Sequence, residues 1–170
     1  MSQIFFDIQA IGISLGEDKI NPSSLFPDDD GRVAKKTGIN ILHRTKKSSF
    51  DLAVESVRNL KNFKDYVDKI GCVIYVTQSA VNFLPNHASN LQGDIGISKS
   101  AICFDINQGC SGFVQALLVM VSMLNTFGIE FGLIVCTDTY SHHLNKSDRS
   151  TQSLFSDGAT SVIISKSKKW

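Results

Sequence analysis

Residues 101–128 read AICFDINQGCSGFVQALLVMVSMLNTFG, and this stretch decides the fold. AICFD is short and apolar, as a strand covered on both faces is. A turn with Gly109 and Gly112 around Cys110 follows it. Beyond the turn, Phe113, Val114, Ala116, Leu117, Leu118, Met120, Val121, Met123 and Leu124 cover most of a helical circumference instead of one stripe. That pattern predicts a helix over 111–127 buried nearly all round. Gly128 is placed to cap its C-terminus, so the first turn falls at or just after Cys110.

Working outward, CVIYVT at 72–77, FGLIVCT at 131–137 and ATSVIIS at 159–165 match AICFD in length and apolarity. IFFDIQAIGISL at 4–15 adds a strand rich in branched and aromatic residues. Helix-like segments at 86–93 and 111–127 separate these runs, so the class is α/β with a largely parallel sheet. Between Phe50 and Ile70, apolar residues including Ala53, Val54, Val57, Leu60, Phe63 and Val67 recur at three- and four-residue steps. They predict an amphipathic helix or a broken pair, with Ser48 and Ser49 as candidate caps. NPSSLFPDDDGR at 21–32 reads as loop, and Asp28, Asp29 and Asp30 lack the alternating ligands of a calcium loop.

A chain of 170 residues, 42% hydrophobic and 19% charged, suits one domain with a real core. Its formal charge of +1 gives no reason to expect nucleic-acid or membrane partners. The long apolar stretch after Cys110 is interrupted by Gln115, Asn125, Gly128, Glu130 and Gly132, too often to span a bilayer. The first residues lack a basic start and a cleavage pattern, which points to the cytoplasm. The four cysteines form no CxxC pair and no zinc spacing, so neither a metal nor another cofactor is expected. His142 and His143 are adjacent and read as a solvated loop pair, not a joint metal site. His43, among Arg44, Lys46 and Lys47, reads as an exposed basic loop, with a carrier-protein or phosphate contact as the alternative.

Cys72, Cys103 and Cys136 sit inside apolar runs, where a thiol is a small hydrophobe. Cys110 does not. A thiol at a helix N-terminus faces unpaired N–H groups and the positive end of the helix dipole, which favour the nucleophilic thiolate. Gly109 and Gly112 admit a substrate close to the sulfur and permit backbone angles other residues avoid, and the Cys110 N–H is a candidate oxyanion donor. A small buried residue at a tight turn is the competing reading; the flanking glycines favour the nucleophile. A hydrolase elbow wants glycine two places before the nucleophile, where Gln108 stands.

AICFDINQGCSGFVQAL, together with VTQSAVNFLP upstream and SDRSTQSLFSDGATSVII downstream, resembles the β-ketoacyl-acyl carrier protein synthase III family of the thiolase superfamily. The likeness runs from about Lys36 to Ser165 and covers the first of that family's two similar halves. It implies that residues 1–170 form an N-terminal thiolase-like domain, one half of the duplicated fold. The expected architecture is a five-stranded mixed sheet with helices on both faces. It also implies that Cys110 takes an acyl group from acyl-CoA as a thioester, which is then condensed with malonyl-acyl carrier protein with loss of carbon dioxide. By the same resemblance Arg149 lies against the adenine end of coenzyme A, Lys36 contacts the nucleotide, and Leu84 belongs to the acyl pocket and reaches across a homodimer interface. Family dimers pair through a central strand, here AICFD. FSDGAT at 155–160 matches a structural turn.

Two departures matter. Arg32 stands where many relatives carry a tryptophan that stacks on adenine, a different contact that points toward a carrier-protein thioester as donor. The half that supplies the family's catalytic histidine and asparagine has no counterpart, and HASN at 87–90 aligns with a helix before the cysteine, so His87 reads as a surface or interface residue. The sequence leaves three readings: a condensing enzyme, a non-catalytic partner subunit, and an acyltransferase or thioesterase that uses Cys110 alone. The expected role is fatty acid or related acyl chain biosynthesis, and the single half is expected not to condense.

Overall fold

Alternating side chains along the most buried strand send two sets of residues to opposite sides of one sheet. The computed structural model describes residues 5–29 and 31–167. Its strands are β1 (Phe6–Leu15), β2 (Asp18–Ile20), β3 (Leu42–Arg44), β4 (Ile70–Val76), β5 (Ile102–Ile106), β6 (Phe131–Thr139) and β7 (Asp157–Lys166). Its helices are α1 (Pro22–Leu25), α2 (Arg32–Thr37), α3 (Ser49–Arg58), α4 (His87–Ile95), α5 (Gly112–Phe127) and α6 (Arg149–Gln152). Met1 to Ile4, Asp30, the Asp29 side chain and Lys168 to Trp170 lie outside the described residues.

Five strands form one sheet in the order β1-β7-β6-β4-β5, and β2 pairs with β3 separately. β4 runs parallel to β5 and β6, as the crossover helices α4 and α5 require. β7 is antiparallel to both β6 and β1, so the sheet is mixed and not largely parallel. The connection after β6 re-enters the sheet at the edge it left, which reverses the direction.

Val73 and Tyr75 of β4, with Leu133, Val135 and Ile163, pack against Ala53, Val57, Ala88 and Leu91 of α3 and α4. Cys72, Ile74 and Val76, with Ile134, Val162 and Ile164, pack against Ala116, Met120 and Leu124 of α5. Helices therefore cover both faces. Fully buried Met120 and Leu124 each contribute about 1.5–3 kcal/mol by leaving water.

Ser48 caps α3 through a reciprocal box with Asp51. The periodic segment then breaks at Asn62, which has φ 56°, into 3₁₀ turns at Phe63–Asp65 and Val67–Lys69, so the broken form of the pattern is the one adopted. The expected loop at 21–32 contains α1 and a 3₁₀ turn at Pro27–Asp29, with Asn21 capping α1. β3 corrects the exposed basic loop: His43 Nδ1 meets the Gly16 carbonyl at 2.8 Å, and Arg44 Nη2 donates to the Gln152 carbonyl and side chain, both at 2.7 Å. His142 and His143 lie exposed in a 3₁₀ turn as expected, with His142 Nε2 2.8 Å from the Thr45 carbonyl.

α5 departs from its expected burial. Its inner residues are covered, but Phe113, Val114, Leu118, Val119 and Phe127 are exposed, Leu118 to 66%. Ile8, Ile11, Ile13 and Leu15 of β1 are exposed too, and they pair with β7 residues that include Val162 and Ile164 of the α5 face. One apolar strip thus flanks α5. A bulge at Gln9, between the pairs Ile8–Ile164 and Ala10–Ile163, keeps these β1 residues on one face despite their odd and even numbers.

Gly12 marks where α3 comes closest to the sheet, since a β-carbon there would overlap the Ser56 carbonyl. That neighbour is backbone and cannot swing away. Gly12→Ala is expected to destabilise the fold by about 1–3 kcal/mol, read as a lower urea midpoint at unchanged slope; an unchanged midpoint would show that α3 shifts freely.

Candidate functional site

Loops leaving the C-terminal ends of β4, β5 and β6 meet at one edge of the sheet, where α/β proteins place their sites. Cys110 lies on the loop after β5. The Gly112 N–H donates to the Gly109 carbonyl at 2.7 Å and closes a tight turn around it. A β-carbon on Gly112 would sit 2.5 Å from Val76 Cγ1, and one on Gly109 would sit 3.0 Å from Gln78 Oε1. Neither glycine has a positive φ, so both serve close approach, not the unusual backbone angles expected of them.

Ser111 is the N-cap of α5, yet its side chain makes no capping bond. Its hydroxyl instead takes bonds from Gln108 Nε2 at 3.0 Å and Gln115 Nε2 at 3.4 Å. The Gly112 amide is taken by the Gly109 carbonyl, but the next first-turn amides, of Phe113 and Val114, receive no capping side chain and are candidate donors for an anion. Cys110 is exposed. The other three thiols differ in kind: burial pushes Cys72 and Cys136 up to about 12 and Cys103 up to about 11, from an ordinary 9.0.

Asp138, in β6, fixes the loop after β4. Its Oδ1 accepts the amides of Gln78 and Ser79 and the Ser79 hydroxyl, all at 2.8 Å, and the Thr77 hydroxyl at 3.0 Å. Gln78, the neighbour of Gly109, is thus held in place. Asp157, at the same edge, accepts the Thr45 amide, the Ser141 amide and the Ser141 hydroxyl. The sequence reading passed over both aspartates, although an aspartate in or beside a buried run, as in IVCTD and SDGAT, is a signal of this role.

Arg149 opens α6. Its Nη2 lies 2.8 Å from Asp28 Oδ2 and its guanidinium 5.1 Å from the Phe26 ring centre. That guanidinium holds the Asp28 carboxyl below its ordinary range, with a smaller contribution from Arg32. Arg149 and Arg32 are thereby gathered around Asp28, and exposed Lys36 follows one turn after Arg32 on α2. Leu84 lies elsewhere, 87% exposed on the loop after β4 and beside Phe83, which is 99% exposed. His87 corrects its reading as a surface or interface residue, being 1% exposed within the chain itself.

A family model of 3-oxoacyl-[acyl-carrier-protein (ACP)] synthase III matches residues 104–170, the stretch that contains Cys110. A β-ketoacyl-[acyl-carrier-protein] synthase III of Clostridium botulinum is 33% identical over 149 residues, 86% of this chain and 45% of that protein. One from Blochmanniella pennsylvanica is 41% identical over 101 residues, 59% of this chain and 32% of that protein. A solved 3-oxoacyl-(acyl-carrier-protein) synthase III superposes with a TM-score of 0.88 at 29% identity, over 97% of this chain and 51% of the other.

The chain is similar to the β-ketoacyl-[acyl-carrier-protein] synthase III proteins over most of its own length. A synthase from Burkholderia xenovorans LB400 gives the same picture, with a TM-score of 0.87 at 26% identity over 98% of this chain and 50% of the other. The chain spans about half the length of the synthase III proteins it matches. Its thiolase-like sheet is the mixed one that the resemblance implied. No helix among the described residues is long and apolar enough to cross a membrane.

The thiols give a direct test. With iodoacetamide at pH 8 the folded chain is expected to take one rapid equivalent, lost in Cys110→Ser, as measured by intact mass. The unfolded chain releases the protons of Cys72, Cys103 and Cys136 near pH 9 while the folded chain retains them. Stability is therefore expected to fall as pH rises from 9 toward 12. A urea midpoint constant over that range would contradict the assignment.

Proposed function

We propose that this chain is the acyl-accepting N-terminal unit, residues 1–170, of a β-ketoacyl-acyl carrier protein synthase III that works in fatty acid or related acyl chain biosynthesis. The supporting observation is the exposed Cys110 thiol, set between Gly109 and Gly112 at the uncapped start of α5. The Cys110 sulfur adds to the carbonyl of an acyl thioester, the donor carbon–sulfur bond breaks, and the donor thiol leaves with the proton that Cys110 gives up. Amides at the start of α5 stabilise the negative oxygen of the intermediate.

Arg149, Arg32 and Lys36 form the basic group that receives the phosphates of coenzyme A or of a carrier protein's prosthetic arm. Leu84 lines the acyl pocket and crosses to a second subunit. β5 is an edge strand with Ile102 exposed, and although its Cys103 carbonyl takes the Asn86 side chain at 3.3 Å, its remaining outer backbone groups are available to pair with β5 of a second copy as a homodimer. Condensation with malonyl-carrier protein needs further donors, which the family resemblance assigns to the other half. The exposed strip of α5 and β1 is the surface against which that half packs. The setting proposed is cytoplasmic.

Incubation with acetyl-CoA is expected to add one acetyl group, seen by intact mass and lost in Cys110→Ser; an unmodified folded chain would overturn the proposal. Arg149→Ala is expected to slow acylation by acetyl-CoA about tenfold, the loss of one charged hydrogen bond, and to leave acylation by acetyl-pantetheine unchanged. Sedimentation is expected to show a dimer, and proline at Cys103, within β5, to reduce it to monomer; a monomer at every concentration would exclude pairing through β5.

A further inference from the structure

The ten residues between β4 and α4 form the loop that carries Val81, Phe83 and Leu84 into solvent. Such a loop would ordinarily order poorly. Its first residues are held by Asp138. Its middle is held by one side chain: His87 Nε2 receives the Val81 N–H at 3.0 Å. Because an amide can only donate, that nitrogen carries the lone pair, and the ring proton sits on Nδ1, 2.8 Å from Asp105 Oδ2. The ring stacks on Tyr75 with centres 5.0 Å apart and planes 22° from parallel.

Asp105 also receives the His87 and Ala88 amides, both at 2.8 Å, and so adds to the cap that Asn86 makes on the Ser89 amide at the start of α4. One carboxylate on β5 therefore fixes the α4 start, the His87 tautomer and, through that ring, the exposed loop. Asp105 lies only five residues before Cys110.

We infer that His87 is a positioning residue that sets where the 77–86 loop presents Phe83 and Leu84. For acyl selection this rests on the pocket role proposed for Leu84. A histidine suits the task because its two nitrogens point away from each other across a flat ring, so it relays a carboxylate to a distant amide while it stacks. Phenylalanine keeps the ring and the stacking but has no acceptor. Glutamine offers an oxygen that accepts the Val81 N–H.

The experiment has two arms, both on the full chain. In the first, amide hydrogen exchange is followed by NMR. Val81 is expected to be protected in the native chain, to exchange about tenfold faster in His87→Phe, the factor given by one lost hydrogen bond, and to regain much of its protection in His87→Gln. A native Val81 amide that exchanges as fast as a free peptide overturns the inference whether or not either variant folds. So does unaltered protection in a folded His87→Phe.

In the second arm, the ratio of Cys110 acylation rates with octanoyl-CoA and acetyl-CoA is compared across the same chains. His87→Phe is expected to shift the ratio about tenfold, and His87→Gln to restore it toward the native value. A loss of stability alone lowers both rates together and leaves the ratio unmoved, and an unmoved ratio in folded His87→Phe overturns the selection role. If the native chain takes no acyl group at all, the synthase reading fails while the exchange arm still decides the positioning of the loop.

Discussion

Loops that leave parallel strands carry amides with no ladder partner, and at this edge three aspartates answer them. Asp105, Asp138 and Asp157 sit on β5, β6 and β7, and each accepts three or more bonds from the chain around it. Removing a carboxylate from water is costly, and several donors at hydrogen-bond distance offset that cost. The geometry around Cys110 depends on this exchange: Asp138 sets Gln78 against Gly109, and Asp105 sets α4 and the loop that bears Leu84.

The strands and long helices were legible because their signals are local. A covered strand is a short apolar run, and β4 to β7 appear at the expected places. Ser48 and Gly128 act as the caps their residue types suggested. β2 and β3 are three residues each, too short to show any period, and their pairing was not legible. Strand direction escaped the local reading, which gave a largely parallel sheet, and the mixed sheet came only from the family likeness, because direction is set by where the connection after β6 re-enters the sheet. The HASN segment was legible as a helix but not as a buried hub, since nothing local joins His87 to an aspartate 18 positions later.

The reading of α5 shows a different limit. Hydrophobicity on all sides states that a helix is to be covered all round, but not by which body. Within this chain the sheet covers one side, and Val114 and Leu118 remain uncovered. Of the proposed site, Cys110 was legible from its glycines. Arg149, Arg32, Lys36 and Leu84 were reached only through the family likeness, because Arg149 and Arg32 converge on Asp28 through elements more than 100 residues apart.

The bulge at Gln9 carries a lesson about phase. Along β1 the apolar positions run even at Phe6 and Ile8, then odd at Ile11, Ile13 and Leu15. The extra residue absorbs the mismatch, so a strand that looks out of step in one dimension lays down an uninterrupted oily stripe in three. Strict alternation, taken as the mark of a half-covered strand, would split this stripe between two faces and lose it.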